Sequence, residues 1–405
     1  MFNPKNVTII KEYCEQHNID FEEVVKRISD FEIVTASWLF TNAGTRFHFF
    51  PTEGAARNHF EVLEDAAEIN KIMGVCKNIG WWTQETDLDT GLGEAAAYGR
   101  ELGINFASIE PNTVDTYDFR FGGLAAREAS LRQKAIDWYG RNIELAKELG
   151  AKVIVNWQGD GTNYPGEDSF RDRKHVLLES YEAIYKLLDD DMRLCLEYKP
   201  FEPRSYHTDN CDWGTANMYC EKLGPKAQVI VDTGHHLQGA NIEHIVSLLL
   251  DEKRMGGFHF NSKKYADDDL LVSSINPYEL YLIMNEIVDG QNDPRIAEAT
   301  NKIMFMIDQN HVIEDKMISV VKSVIRVQTA YAKALLIDRP ALLAARQKHD
   351  VAEAESIMQD TFLLDVRPLL GVVRERMGLD PDPMRMYLQS GYEAKIRAAR
   401  GFDFK

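Results

Sequence analysis

The chain has 405 residues, 44% hydrophobic and 27% charged, enough to bury a large core, so intrinsic disorder is excluded. Its 64 acidic residues outnumber its 46 basic ones, and the resulting formal charge of −18 makes nucleic acid and membrane surfaces poor partners and cations better ones. Five cysteines at irregular spacings form no C-x-x-C pair, and the opening MFNPKNVTIIKEYCEQ lacks a signal-like apolar stretch; a reducing, cytoplasmic setting is expected, with no membrane span.

Residues 1–31 are expected to form a leading amphipathic helix with a loop. Eight β-rich runs follow: EIVTASW (32–38), VCKNIGW (75–81), INFASIE (104–110), KVIVNW (152–157), RLCLEYK (193–199), QVIVD (228–232), GFHFN (257–261) and KIMFMID (302–308). The segments between them have helical periodicity, and two end at Gly103 and Gly150, where a helix C-terminus favours glycine. Strand and helix alternating eight times across residues 32–329 predict an α/β fold, specifically a (β/α)8 TIM barrel. A doubly wound sheet would want a G-x-G-x-x-G turn after its first strand, and none follows Trp38. Residues 330–405 read as a helical tail, broken near Asp380-Pro381 and Asp382-Pro383. Its clustered apolar residues, including Leu363, Val366, Leu369, Leu370 and Val373, predict a homo-oligomer.

In such a barrel the polar residues at the C-terminal strand ends face the active-site mouth, because apolar layers fill the interior below. Period-two alternation puts Glu197 and Lys199 on one face of strand 5, ends strand 6 at Asp232 with His235 just beyond, turns His259 inward on strand 7, and ends strand 8 at Asp308. The segment KKYADDDL after strand 7 adds Asp267 and Asp269. Taken singly, a strand-end carboxylate is more often a helix cap, an inward histidine a satisfied core group, and an acidic run a solvated loop. Four consecutive strands ending in such residues point jointly to a metal site. Five carboxylates in one cavity repel by several kcal/mol unless cations neutralise them. Two divalent ions are expected, and oxygen ligands with two imidazoles suit Mn2+ foremost, or Mg2+, Co2+ or Zn2+. Of the tryptophans at strand ends, Trp38 and Trp157 are the first candidates for stacking on a sugar face, ahead of Trp81 and Trp82. The loop QGDGTNYPG (158–166) lacks the G-K-[ST] of a phosphate cradle and is expected to shape the pocket rim.

The order Trp157 with GDGTNYPG, then LEYKP, VDTGHH, FHFNSKKYADDDL and Asp308 resembles the L-rhamnose isomerases and related sugar isomerases of the xylose-isomerase-like barrels. The resemblance runs from about Trp38 to Asp308. It implies one ion held by Glu197, Asp232, His259 and Asp308 that grips sugar hydroxyls. A second, catalytic ion is implied at His235, Asp267 and Asp269, with Lys199 beside the carbonyl end of the sugar and Trp157 as a wall. A tetramer is also implied. One position departs from the pattern: a histidine belongs near the end of strand 2, where this chain reads NIGWWTQE, and His48 after strand 1 is the candidate replacement.

The expected activity is therefore a metal-dependent aldose–ketose isomerisation of a free monosaccharide, L-rhamnose or a related hexose or deoxyhexose, with Lys199, His235, Asp267, Asp269 and Asp308 in the catalytic machinery. Hydrogen moves between C1 and C2 and a proton between O1 and O2, so no redox cofactor is needed. The competing readings are a ketose 3-epimerase, which needs one metal between two carboxylates, and a sugar-binding barrel without catalysis. A metal-dependent phosphoesterase or nuclease barrel would want more histidine ligands and a basic surface.

Overall fold

A computed structural model describes residues 2–44, 49–84, 87, 91–114, 116–202, 207–310 and 312–402. Eight parallel strands lie side by side in chain order: β1 (Thr35–Ala36), β2 (Asn78–Thr83), β3 (Asn105–Pro111), β4 (Val153–Trp157), β5 (Arg193–Glu197), β6 (Ala227–Asp232), β7 (Met255–Phe260) and β8 (Met304–Ile307). A bridge between Val34 and Met306 brings β8 back to β1, with Val34 N–H donating to Phe305 O at 2.7 Å. This is the expected (β/α)8 TIM barrel. The first strand is shorter than the expected run because Ser37–Leu39 turns into a 3-10 helix, lifting Trp38 out of the ladder.

Apolar alternation decides which side of each strand packs on the helices. Phe258 and Phe260 lie nearly parallel, their centroids 4.9 Å apart and their planes at 10°, and Phe305 continues the stack against Phe258 at 5.9 Å. Helices Leu92–Glu101 and Ala129–Leu149 end as expected, with Gly103 and Gly150 in left-handed conformations at φ 83° and 80°. The QGDGTNYPG loop pairs with the loop after β5, Gly161–Thr162 running antiparallel to His207–Thr208. Buried Asp160 of that loop also accepts from the Gly123 and Ala125 amides, so the loop is a strut of the rim.

The N-terminal segment forms two helices, Thr8–Gln16 and Phe21–Ser29, where one was expected. Asp20 separates them by capping the second, accepting from the Glu22 and Glu23 amides. Helix Lys316–Leu335 runs without a break through residue 330, so the eighth helix is continuous with the start of the tail. Val366, Leu369, Leu370 and Val373 are buried in the core of their own chain, while Leu363 remains 73% exposed. For the four buried residues the premise that another subunit must cover them is corrected: helix Phe21–Ser29 and the N-terminal turn pack on helix Arg367–Arg376. Pro383 opens helix Pro383–Ser390 behind the capping Asp382.

The last helix, Tyr392–Arg400, is held by a buried ion pair, Arg400 Nη1 to Asp65 Oδ2 at 2.7 Å, with Tyr392 Oη donating to Asp65 Oδ1 at 2.7 Å. Arg400→Ala leaves that buried carboxylate without its cation, at an expected cost of about 3–5 kcal/mol. Amide hydrogen exchange across 392–400 should accelerate strongly. Unchanged exchange there would show that the pair contributes little.

Candidate active site

The C-terminal strand ends enclose a cavity of about 320 Å³ lined by Trp38, Trp82, Glu110, Trp157, Glu197, Lys199, Glu202, His235, His259, Asp267, Asp269 and Asp308. That is near the lower end of ligand cavities, ~300–1,000 Å³. A larger cleft, about 640 Å³, lies by the N-terminal ends of β1 and β8 next to Phe31 and Tyr331, with no carboxylate–imidazole grouping among its lining residues.

Ligand-type atoms of Glu197, Asp232, His259 and Asp308 lie within 4.8 Å of one another, and so do those of Asp232, His235 and Asp267. Asp232 thus belongs to both groups. His259 Nδ1 is 3.1 Å from Glu197 Oε2 and 3.3 Å from Asp308 Oδ2, yet neither of its ring nitrogens makes an aligned hydrogen bond. His235 Nδ1 is 3.1 Å from Tyr198 O; a proton there leaves Nε2, 3.4 Å from Asp267 Oδ2, with its lone pair free. Asp267 Oδ1 is buried without a hydrogen-bond partner. Asp269, at φ 45°, lies beside Asp267 and 3.4 Å from Asn261 Nδ2, outside both groups. The second group thus brings His235 and Asp267 together with Asp232, while Asp269, also expected there, lines the cavity beside them.

Burial shapes the charges. It pushes Asp232 up to about 8, with Asp308, Asp267 and Glu197 adding to the rise against the pull of His235. Burial likewise raises Asp269 well above the usual carboxylate range, helped by Asp267 and Asp308. Burial also disfavours charge on His235, but Asp232 and Asp267 overcome it and lift the imidazole to about 10. Asp267 moves the other way: burial opposes its ionisation, yet His235 and Lys199 hold it well below the ordinary value. Protons are thus retained by the cluster to offset its own charge, which is the task of a cation. Oxygen and imidazole donors, orphaned atoms on His259 and Asp267, and no thiol in the set fit a divalent metal.

Lys199 Nζ sits 2.6 Å from Asp267 Oδ2 and also contacts Glu202, and these carboxylates keep it charged although burial opposes it. Trp38 Nε1 donates to Asp308 Oδ1 at 2.8 Å, so this indole anchors a carboxylate as well as lining the cavity. Trp157 lines the wall and lies under Lys199 at 5.4 Å. His48 lies outside the described residues. Three site residues, Glu110, Glu202 and Asn261, have no role in the sequence analysis, and a fourth, Trp82, ranks there behind Trp38 and Trp157. Glu110, next to last in β3, faces inward and is pushed by burial up to about 8; Trp82 packs between Trp38 and Trp157; Glu202 holds Lys199; and Asn261 donates to both oxygens of Asp232 at 3.0 and 3.1 Å. Glu110 and Trp82 carried the same inward strand-end signal as the residues that were found.

Residues 84–274 match the xylose isomerase-like TIM barrel family. A probable sugar isomerase of Rhizobium meliloti (strain 1021) is 36% identical over 394 residues, covering 95% of this chain and 90% of that protein. A second probable sugar isomerase, from Mesorhizobium japonicum, is 35% identical over 394 residues, covering 96% and 90%. Among solved structures, a D-tagatose 3-epimerase-like protein superposes with a TM-score of 0.54 at 13% identity, over 74% of this chain and 98% of that one, a likeness of fold. Among the described residues no helix is long and apolar enough to cross a membrane. With near-full-length similarity to two probable sugar isomerases on a barrel of this topology, the chain belongs to the sugar isomerase and epimerase family of xylose isomerase-like TIM barrels.

Proposed function

We propose that the protein is a metal-dependent aldose–ketose isomerase acting on a free monosaccharide, L-rhamnose or a related hexose or deoxyhexose. The observation that carries this reading is the pair of adjacent cation-ready groups sharing Asp232, with the Lys199 ammonium beside the second. Glu197, Asp232, His259 and Asp308 would hold one ion, and His235, Asp267 and Asp232, with Asp269 adjoining, the other. Divalent ions there, Mn2+ foremost, supply Lewis acidity toward sugar oxygens and lower the pKa of water.

The chain's own residues do the rest. Trp38, Trp82 and Trp157 exclude water and present flat apolar faces to the carbon skeleton. Lys199, held charged by Asp267 and Glu202, stabilises negative charge developing on a substrate oxygen as the carbonyl moves between C1 and C2. Asp267, ionised and hydrogen-bonded to Lys199, would orient that ammonium toward the substrate oxygens O1 and O2 and help hold the second ion. Asn261 and the Gly234 amide hold Asp232 in register between the two groups. A ketose 3-epimerase is the second reading, favoured by the position of Asp269 outside the second group. Screening deoxyaldoses and aldohexoses against the Mn2+-loaded protein tests the proposal: an aldose giving its ketose supports it, and inversion at C3 of a ketose with no aldose formed contradicts it.

Metal affinity should fall with pH. In the metal-free protein Asp232 lies at about 8 and His235 at about 10, so below pH 8 an entering ion must displace protons that the cluster retains. Each proton released makes binding about tenfold weaker per pH unit of acidification. Titrations with Mn2+ at pH 8, 7 and 6 should show the dissociation constant rising. A constant value would mean that these groups do not bind the ion.

A further inference from the structure

The two halves of the cavity differ in chemistry. Strands β5–β8 and their loops contribute Glu197, Lys199, Glu202, His235, His259, Asp267, Asp269 and Asp308; β1–β4 contribute three tryptophans and a single ionisable group, Glu110. In a ring of eight strands β3 stands opposite β7, so Glu110 faces the ion-ready cluster across the cavity. It is the last inward carboxyl of its strand and only 3% exposed; no described residue forms a salt bridge with it, although the charge of His259 acts on it through space, opposed by Glu197 and Asp308. Ser108 Oγ donates to its Oε1 at 3.3 Å, and no described residue bonds its Oε2. Gly80 on the neighbouring strand leaves room for this arrangement. A Cβ there would meet Met306 Sδ at 2.6 Å, Ser108 Oγ at 2.7 Å and Glu110 Oε1 at 3.3 Å. The N–H of Trp157, also on this side, is buried without an acceptor.

A buried carboxyl with one weak partner is costly unless a ligand completes it. A polyhydroxylated chain gripped at one end by β5–β8 crosses toward the tryptophan wall, where its remaining hydroxyls would otherwise lose hydrogen bonds to water. We propose that Glu110 is a substrate-binding residue, its carboxyl taking a sugar hydroxyl on the tryptophan side of the cavity, beyond the carbons gripped by the β5–β8 cluster, and thereby selecting sugars that carry a hydroxyl at that carbon. The assignment rests on the sugar-isomerase reading above.

Binding of acyclic alditols (ribitol, xylitol, sorbitol and galactitol) to the Mn2+-loaded protein by calorimetry tests it, alongside elemental analysis of metal content. For the tightest alditol, Glu110→Ala should weaken binding about ten- to a hundredfold with metal content unchanged. Glu110→Gln, which keeps a donor and an acceptor, should stay within about fivefold of wild type. Equal affinity in wild type and Glu110→Ala overturns the assignment. Loss of metal in Glu110→Gln also overturns it, making the residue part of the ion site. If the wild type binds no alditol, the sugar reading falls and this assignment with it.

Discussion

Stripping divalent cations with a chelator should abolish turnover and lower the melting temperature together, with Mn2+ or Co2+ restoring both. Glu197, Asp267, Asp269 and Asp308 line one cavity with Asp232 buried against them, and without an ion the charge is offset by protons held on Asp232 and Asp269, by the two imidazoles and by Lys199. An ion bound only by the folded state at a hundred times its dissociation constant adds about 2.7 kcal/mol of stability. That is a loss of several degrees in melting temperature on chelation. Full turnover in protein proved metal-free by elemental analysis would rule out metal-dependent catalysis.

Replacing single carboxylates should separate the two groups. Glu197 touches both imidazoles, 3.2 Å from His235 Nδ1 and 3.1 Å from His259 Nδ1, so Glu197→Gln should impair sugar binding and turnover alike. Asp267 touches Lys199 and His235 and belongs to the second group alone. Asp267→Asn should lower kcat by a factor on the order of 10²–10⁴ while alditol affinity largely survives. Steady-state kinetics with parallel calorimetry reads both quantities. Near wild-type turnover in Asp267→Asn would remove the second group from the chemistry and favour the epimerase reading.

The ends of β5–β8 were legible because a strand's side chains alternate strictly and a barrel's interior has one open end. Knowing that Asp232 ends a strand was enough to aim it at the mouth. Glu110 and Trp82 obey the same rule and were readable from INFASIE and NIGWW, where Glu110 shares a face with Ser108. Glu202 was not readable, since its approach to Lys199 depends on a loop with no period. Nor was the sharing of Asp232 between two groups, which depends on how closely the loop after β7 approaches the end of β6. The tail misled for a related reason: Leu369 and Leu370 are covered through helix Phe21–Ser29, a contact between segments more than three hundred residues apart.

The most direct measurement is carbon NMR of L-rhamnose labelled with 13C at C1, incubated with the Mn2+-loaded protein and with a chelated control. The account predicts that the anomeric C1 signal gives way to the hydroxymethyl signal of the corresponding ketose in the loaded sample alone. If neither this sugar nor the other deoxyaldoses and aldohexoses labelled in the same way yields that signal, while a free ketose is inverted at C3, the protein is an epimerase and the isomerase account is contradicted.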